Sequence, residues 1–145
     1  MHEKYRSLRY EAEVLQRKVS QVLENPPLGG FEEKIAQEQF ERLLELLQDT
    51  VEEMEHYSKP VKTGTLRRIE SRKFELVDRD RRSLRTFSCG SSIECYVEVE
   101  EEMTWAAGRV EHTRRGDRED YYFYCREAGH PFLEEGMKAR IRVSE

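Results

Sequence analysis

Three thiols and four imidazoles are the residues in this chain with the most chemical potential. Cys89, Cys95, Cys125 and His130 could in principle supply three thiolates and an imidazole to zinc. Structural zinc sites gather their ligands in close pairs that preorganise a tetrahedron. Here five residues separate Cys89 from Cys95 and four separate Cys125 from His130, so the spacing argues against a metal, and no cofactor is expected. Cys95 alternates in phase with Ile93 and Val97, where a thiol acts as a small core hydrophobe. A nucleophilic cysteine needs an accessible, electropositive setting and a nearby base. Only Cys89, in the polar turn Ser88-Cys89-Gly90-Ser91-Ser92, looks accessible, with His112 or His130 as conceivable bases. The chain lacks a phosphate-cradling glycine loop, H-E-x-x-H and G-x-S-x-G, so an enzyme is not expected.

Binding chemistry is better represented. Arg67, Arg68, Arg72, Lys73, Arg79, Arg81, Arg82 and Arg85 stand against four acids in the same nineteen residues, an excess of +4. Arginine takes phosphate in bidentate fashion, so Arg67, Arg68, Arg81, Arg82 and Arg85 are the candidates for a nucleic-acid contact. The bland alternative is a solvated hairpin with internal ion pairs. The run Asp120-Tyr121-Tyr122-Phe123-Tyr124-Cys125 is more informative, because alternation puts rings on both faces and one face must be core. On the upstream segment Trp105 and Arg109 flank Gly108, a place for a bulge that would redirect them. Trp105, Arg109, Tyr122 and Tyr124 are the candidate recognition set for a peptide or protein segment; the alternative is packing beneath a helix. Glu98, Glu100, Glu101 and Glu102 lack calcium-loop spacing and read as a solvated turn.

These groups must be held by elements, and the elements change character near Pro60. Tyr5, Leu8, Ala12, Leu15, Val19 and Val22 recur at spacings of three and four, the heptad seam of a helix packed on another. Asn25-Pro26-Pro27-Leu28-Gly29-Gly30 then breaks the helix, since proline lacks a donor and glycine permits positive φ. A second helical pattern runs from Phe31 to about Tyr57, with Glu32 and Glu33 where the macrodipole favours acids. Residues 1–60 are therefore expected as an antiparallel hairpin with the two seams facing each other. Leu43, Leu44, Leu47 and Val51 widen the second stripe and are its candidate interface, for self-association or a protein partner. This half holds 8 basic and 13 acidic side chains and so accounts for the whole net charge of -5.

After Pro60 the period drops to two. Six short strands, near 64–69, 73–77, 92–99, 103–111, 120–125 and 137–143, are separated by polar turns, and 113–120 reads as a long charged loop. The expectation is α+β: a helical hairpin over 1–60, then a small antiparallel SH3-like β-barrel over 61–145. The 145 residues contain no apolar run of membrane-spanning length and no apolar leader, and three cysteines are too few for a secreted scaffold. A cytoplasmic protein without a membrane partner is expected.

Gly64-Thr65-Leu66, Lys73-Phe74-Glu75-Leu76, Cys89-Gly90-Ser91-Ser92-Ile93-Glu94, Trp105-x-x-Gly108-Arg109-Val110-Glu111-His112, Tyr121-Tyr122-Phe123 and 133–142 occur in that order. This order resembles a family of small uncharacterised β domains from low-GC Gram-positive bacteria, often among plasmid, transposon and phage genes. The resemblance spans about residues 62–143 and omits the helices. It implies a small barrel-like fold and a mobile-element setting, and assigns no catalytic residue. A non-enzymatic binding or adaptor protein follows as the leading reading. A nucleic-acid accessory factor and a mobile-element antagonist of host defence are the alternatives.

Overall fold

The computed structural model describes residues 1–144, which divide into two compact units, the first Met1–Lys59 and the second starting at Pro60. The first is a pair of helices, α1 (Glu3–Glu24) and α2 (Phe31–Ser58). His2 caps α1, its Nδ1 accepting the Lys4 N–H at 3.1 Å, and the Gly30 N–H donates to Glu33 at the start of α2. Arg9 of α1 donates to Ser58 Oγ at 3.4 Å, so the end of α2 returns beside the start of α1 and the pair is antiparallel.

The two seams do not simply face each other. Val19 is the one buried apolar residue of the hairpin among the described residues. Ala12 is half-buried, as are Arg9, Glu13, Gln16 and Leu23, while Leu8, Leu15 and Val22 remain 59%, 41% and 56% exposed. A heptad seam is two columns wide, and here α2 covers Ala12 and Val19 more fully than Leu8, Leu15 and Val22. Leu43, Leu44, Leu47 and Val51 are all half-buried on α2.

The second unit has seven strands where six are expected: β1 (Val61–Arg68), β2 (Phe74–Val77), β3 (Ser83–Thr86), β4 (Ser92–Val99), β5 (Glu102–Arg115), β6 (Arg118–Tyr124) and β7 (Lys138–Arg142). They form one antiparallel sheet in the order β3-β2-β1-β7-β4-β5-β6, curled into a half-barrel. The four residues of β3 escape periodicity because they are too short to show it. The charged stretch 113–120 is not a long loop. Strand β5 runs to Arg115, which pairs with Arg118 across the turn at Gly116 and Asp117. Gly116 has φ +61°, the left-handed conformation a two-residue hairpin turn needs at its first position.

Gly108 is not a bulge either. The β4–β5 register is continuous from Ser92↔Arg109 to Val99↔Glu102. Glycine is required there because a Cβ would lie 2.2 Å from the Tyr124 carbonyl oxygen. Trp105 and Arg109 therefore share a face of β5.

The concave face gathers the core, in which Phe74, Phe87, Phe123, Leu66, Leu76 and Leu133 are fully buried. The segment between β6 and β7 spans the open side. Residues 131–133 lie along β6, with Phe123 N–H donating to Pro131 O at 2.8 Å and Leu133 N–H to Tyr121 O at 3.1 Å. Gly136 N–H then reaches Leu66 O of β1 at 2.8 Å. Arg68 on β1 donates through both terminal nitrogens to Asp120 on β6, at 2.9 and 2.8 Å, although three strands separate β1 from β6 in the sheet. This bidentate pair is a second clasp across the curl.

Candidate functional site

Alternation decides what the outer face of the half-barrel displays. Val110 and Phe123 are register partners pointing into the core, so Arg109, Tyr122 and Tyr124 point outward. The structure brings three of the four candidate recognition residues together. Arg109 lies over the Tyr124 ring with its guanidinium carbon 4.1 Å from the centroid, and Tyr122 follows at 6.3 Å. Trp105 shares the face but belongs to a separate group four residues along β5.

The first group extends beyond the residues found by alternation alone. Arg115 lies over Tyr122 at 4.8 Å and over Phe132 at 4.7 Å, and Arg118 covers Phe132 at 3.9 Å. The His130 ring sits 4.7 Å from Tyr124 and accepts the Cys125 N–H at Nδ1, 3.1 Å away, so its Nε2 is the protonated nitrogen when the imidazole is neutral. Arg115 also donates to the His130 carbonyl at 2.7 Å. Each guanidinium on a ring gains about 0.5–1 kcal/mol at an exposed position. Stacking consumes the flat face of arginine and leaves its N–H edge available. Arg109 keeps half of its side chain exposed, with only a 3.7 Å approach to Glu111.

The second group surrounds Trp105. Tyr96 is its register partner at 5.4 Å, Arg140 covers the indole at 4.2 Å, and Lys138 approaches both rings. Beside it Glu94, buried on this outer face, accepts from Arg140 at 2.9 Å and Arg142 at 2.8 Å. Burial opposes ionisation of Glu94, but the bonds from Arg142 and Arg140 outweigh it and hold the carboxyl below its ordinary range. Tyr96, Lys138, Arg140, Phe132, Arg115 and Arg118 join these groups through the fold, outside the recognition set expected from alternation. The signal for Arg115 and Arg118 was present, since odd positions of β5 and even positions of β6 keep to one face on either side of a Gly-Asp turn.

The arginine-rich stretch is divided by the fold. Arg67 pairs with Glu75 across β1 and β2, and that bond, with a second from Ser83, lowers the Glu75 pKa. Arg68 is committed to Asp120, whose carboxyl it holds at about 2, against burial and with help from the Tyr121 N–H and Arg118. Arg81, Arg82 and Arg85 remain exposed around β3. The glutamate run forms the β4–β5 turn, where Glu100 and Glu101 both take positive φ, 51° and 69°.

Cys95 is fully buried and its thiol is pushed up to about 12, by burial first and the neighbouring Cys125 second. Cys125 is also buried, which raises its thiol, and its Sγ donates to Glu127 at 3.4 Å. Cys89 is exposed in its turn. Among the described residues no three His, Cys, Asp or Glu side chains converge as ligands. A polar cavity of about 460 Å³ is lined by Arg68, Arg72, His112, Glu119, Asp120 and Tyr121, but its charges are balanced and its best-placed cation already holds Asp120.

The second unit is thus a curled antiparallel sheet that wears an arginine-on-aromatic face, attached in sequence to a helical hairpin. The chain belongs to the family described as a domain of unknown function (DUF5348), which matches residues 65–141, more than half of its length. That match runs from β1 to β7 and leaves the hairpin outside it. No curated protein and no solved structure matches the chain. No helix among the described residues is long and apolar enough to cross a membrane.

Proposed function

We propose that this chain is a non-enzymatic adaptor: its half-barrel takes an acidic peptide or protein segment on the Arg109–Tyr124 face, and its hairpin serves protein association. The carrying observation is Arg109, stacked 4.1 Å above Tyr124 with half of its side chain open to solvent. A stacked guanidinium is oriented before binding, so its N–H edge meets a carboxylate at little entropic cost. Tyr122, Tyr124, Phe132 and Trp105 each carry a cation of the protein on a ring face, which leaves little ring surface for stacking bases. Glu111 and Glu134 among these arginines weaken the field that a polyanion would follow. Burial raises the thiols of Cys95 and Cys125 and makes them poor nucleophiles, which leaves the exposed Cys89 as the one thiol a catalytic reading could use.

On the resemblance given above, the half-barrel is read as SH3-like and the setting as a mobile element of a low-GC Gram-positive bacterium, with the protein in the cytoplasm. In that setting an adaptor that occupies a host protein acts as an antagonist of host defence. The nucleic-acid reading keeps one specific support, the exposure of Arg81, Arg82 and Arg85.

Fluorescence anisotropy with a labelled glutamate-rich peptide and an oligothymidylate separates the two. The adaptor reading expects the peptide to bind, Arg109→Glu to weaken it about tenfold or more, as loss of a charge-assisted bond does, and Arg81→Glu with Arg82→Glu to leave it unchanged. Binding of the oligonucleotide alone, abolished by the Arg81 and Arg82 reversals, overturns it in favour of the rival.

A further inference from the structure

The α1 heptad has two apolar columns, each at intervals of seven: Tyr5, Ala12 and Val19 in one, Leu8, Leu15 and Val22 in the other. In the first column Val19 is buried and Ala12 half-buried, with Tyr5 exposed near the helix start, whereas every member of the second column is exposed. A partner helix in a regular coiled pair covers both columns of such a seam, so the exposure of Leu8, Leu15 and Val22 leaves apolar surface of α1 that α2 does not cover. Val22 opens onto an apolar cavity of about 300 Å³ that Val19, Leu23, Ala36 and Phe40 also line.

We infer that a second copy of this chain covers this column, the two α1 helices packing antiparallel with Leu15 on a two-fold axis. This rests on the reading of the hairpin as the association element. A two-fold interface requires a surface complementary to itself, so that residue i meets residue j and j meets i. The column meets that condition about Leu15. Leu8 then faces Val22 of the second copy, and the exposed Glu11 faces Lys18 of the second copy, each pairing occurring twice. Charge points the same way. α1 carries five basic and four acidic side chains, whereas α2 carries two and nine. Packing α1 on α1 keeps the two acidic α2 helices on the outside of the four, where repulsion between them is screened. The cavity beside Val22 provides room for Leu8 of the second copy.

Sedimentation equilibrium of the full chain at micromolar concentration tests the arrangement, with peptide binding measured on the same samples. The expected result is twice the mass of the chain. Leu15→Glu places two carboxylates on the axis and weakens dimerisation at least a hundredfold. Lys18→Glu turns two attractive pairs into repulsive ones and weakens it about tenfold, and adding Glu11→Lys restores it to within about twofold. Glu11 and Lys18 are exposed, so this swap decides the matter even if Leu15→Glu unfolds the hairpin. A wild-type monomer, a dimer insensitive to Leu15→Glu, or a double swap that fails to rescue overturns the inference. A monomer that still binds the acidic peptide removes the dimer alone, while a dimer without peptide binding removes the half-barrel's adaptor role alone.

Discussion

The hairpin and the half-barrel solve the problem of burying apolar surface in opposite ways. Across Met1–Lys59 one apolar side chain, Val19, is buried, whereas the half-barrel buries thirteen in a single cluster from Leu66 to Ile141. Burying a large side chain is worth about 1.5–3 kcal/mol, so the half-barrel draws far more stabilisation from its own core than the hairpin does. Its helices span 22 and 28 residues, and helices in proteins draw most of their stability from packing an apolar face rather than from intrinsic propensity. The contrast teaches which unit closes a core of its own and which leaves most of its apolar surface uncovered.

Separating the two units should show the largest effect. Residues 60–145 alone should melt cooperatively by circular dichroism, and residues 1–59 alone should lose most of their helicity on dilution. A hairpin whose helicity is independent of concentration would break the comparison. Within the half-barrel the two faces of β6 should differ sharply in denaturant titrations: Phe123→Ala should cost about 3–5 kcal/mol, and its neighbour Tyr124→Ala, on the outer face, about 1 kcal/mol or less. Gly108→Ala should cost about 1–3 kcal/mol by forcing a Cβ against Tyr124.

Acid should expose the clasp across the curl. Asp120 is held at about 2, chiefly by Arg68, against an unfolded value of about 3.9, so its contribution is complete above pH ~5 and is lost as pH falls towards 2. The loss is on the order of 1–2 kcal/mol after solvent screening. Stability measured between these pH values should fall less steeply in Asp120→Asn. The smallest change is a gain. Glu100→Asn with Glu101→Gly should stabilise the chain by about 1 kcal/mol, because Asn-Gly suits two consecutive positive φ angles and Glu-Glu does not. An unchanged midpoint would show that the turn carries no strain.

Local signals determined much of this architecture. Two prolines and two glycines after Asn25 end α1 at Glu24 whatever follows, because a missing donor and a free φ act within a few residues. The period of two around Cys95 puts that thiol inside, since alternate side chains of a strand must point to opposite faces. Tertiary structure decided the rest. The curl that carries Asp120 to Arg68, 52 residues away in sequence, is invisible to any local pattern, and so is the choice of which heptad column meets α2. Arg115 and Phe132 became neighbours only when the chain after β6 turned back along that strand. Periodicity reports which face of an element is apolar; the partner that covers the face is set by how distant elements pack, and contacts made at long sequence separation leave no period to read.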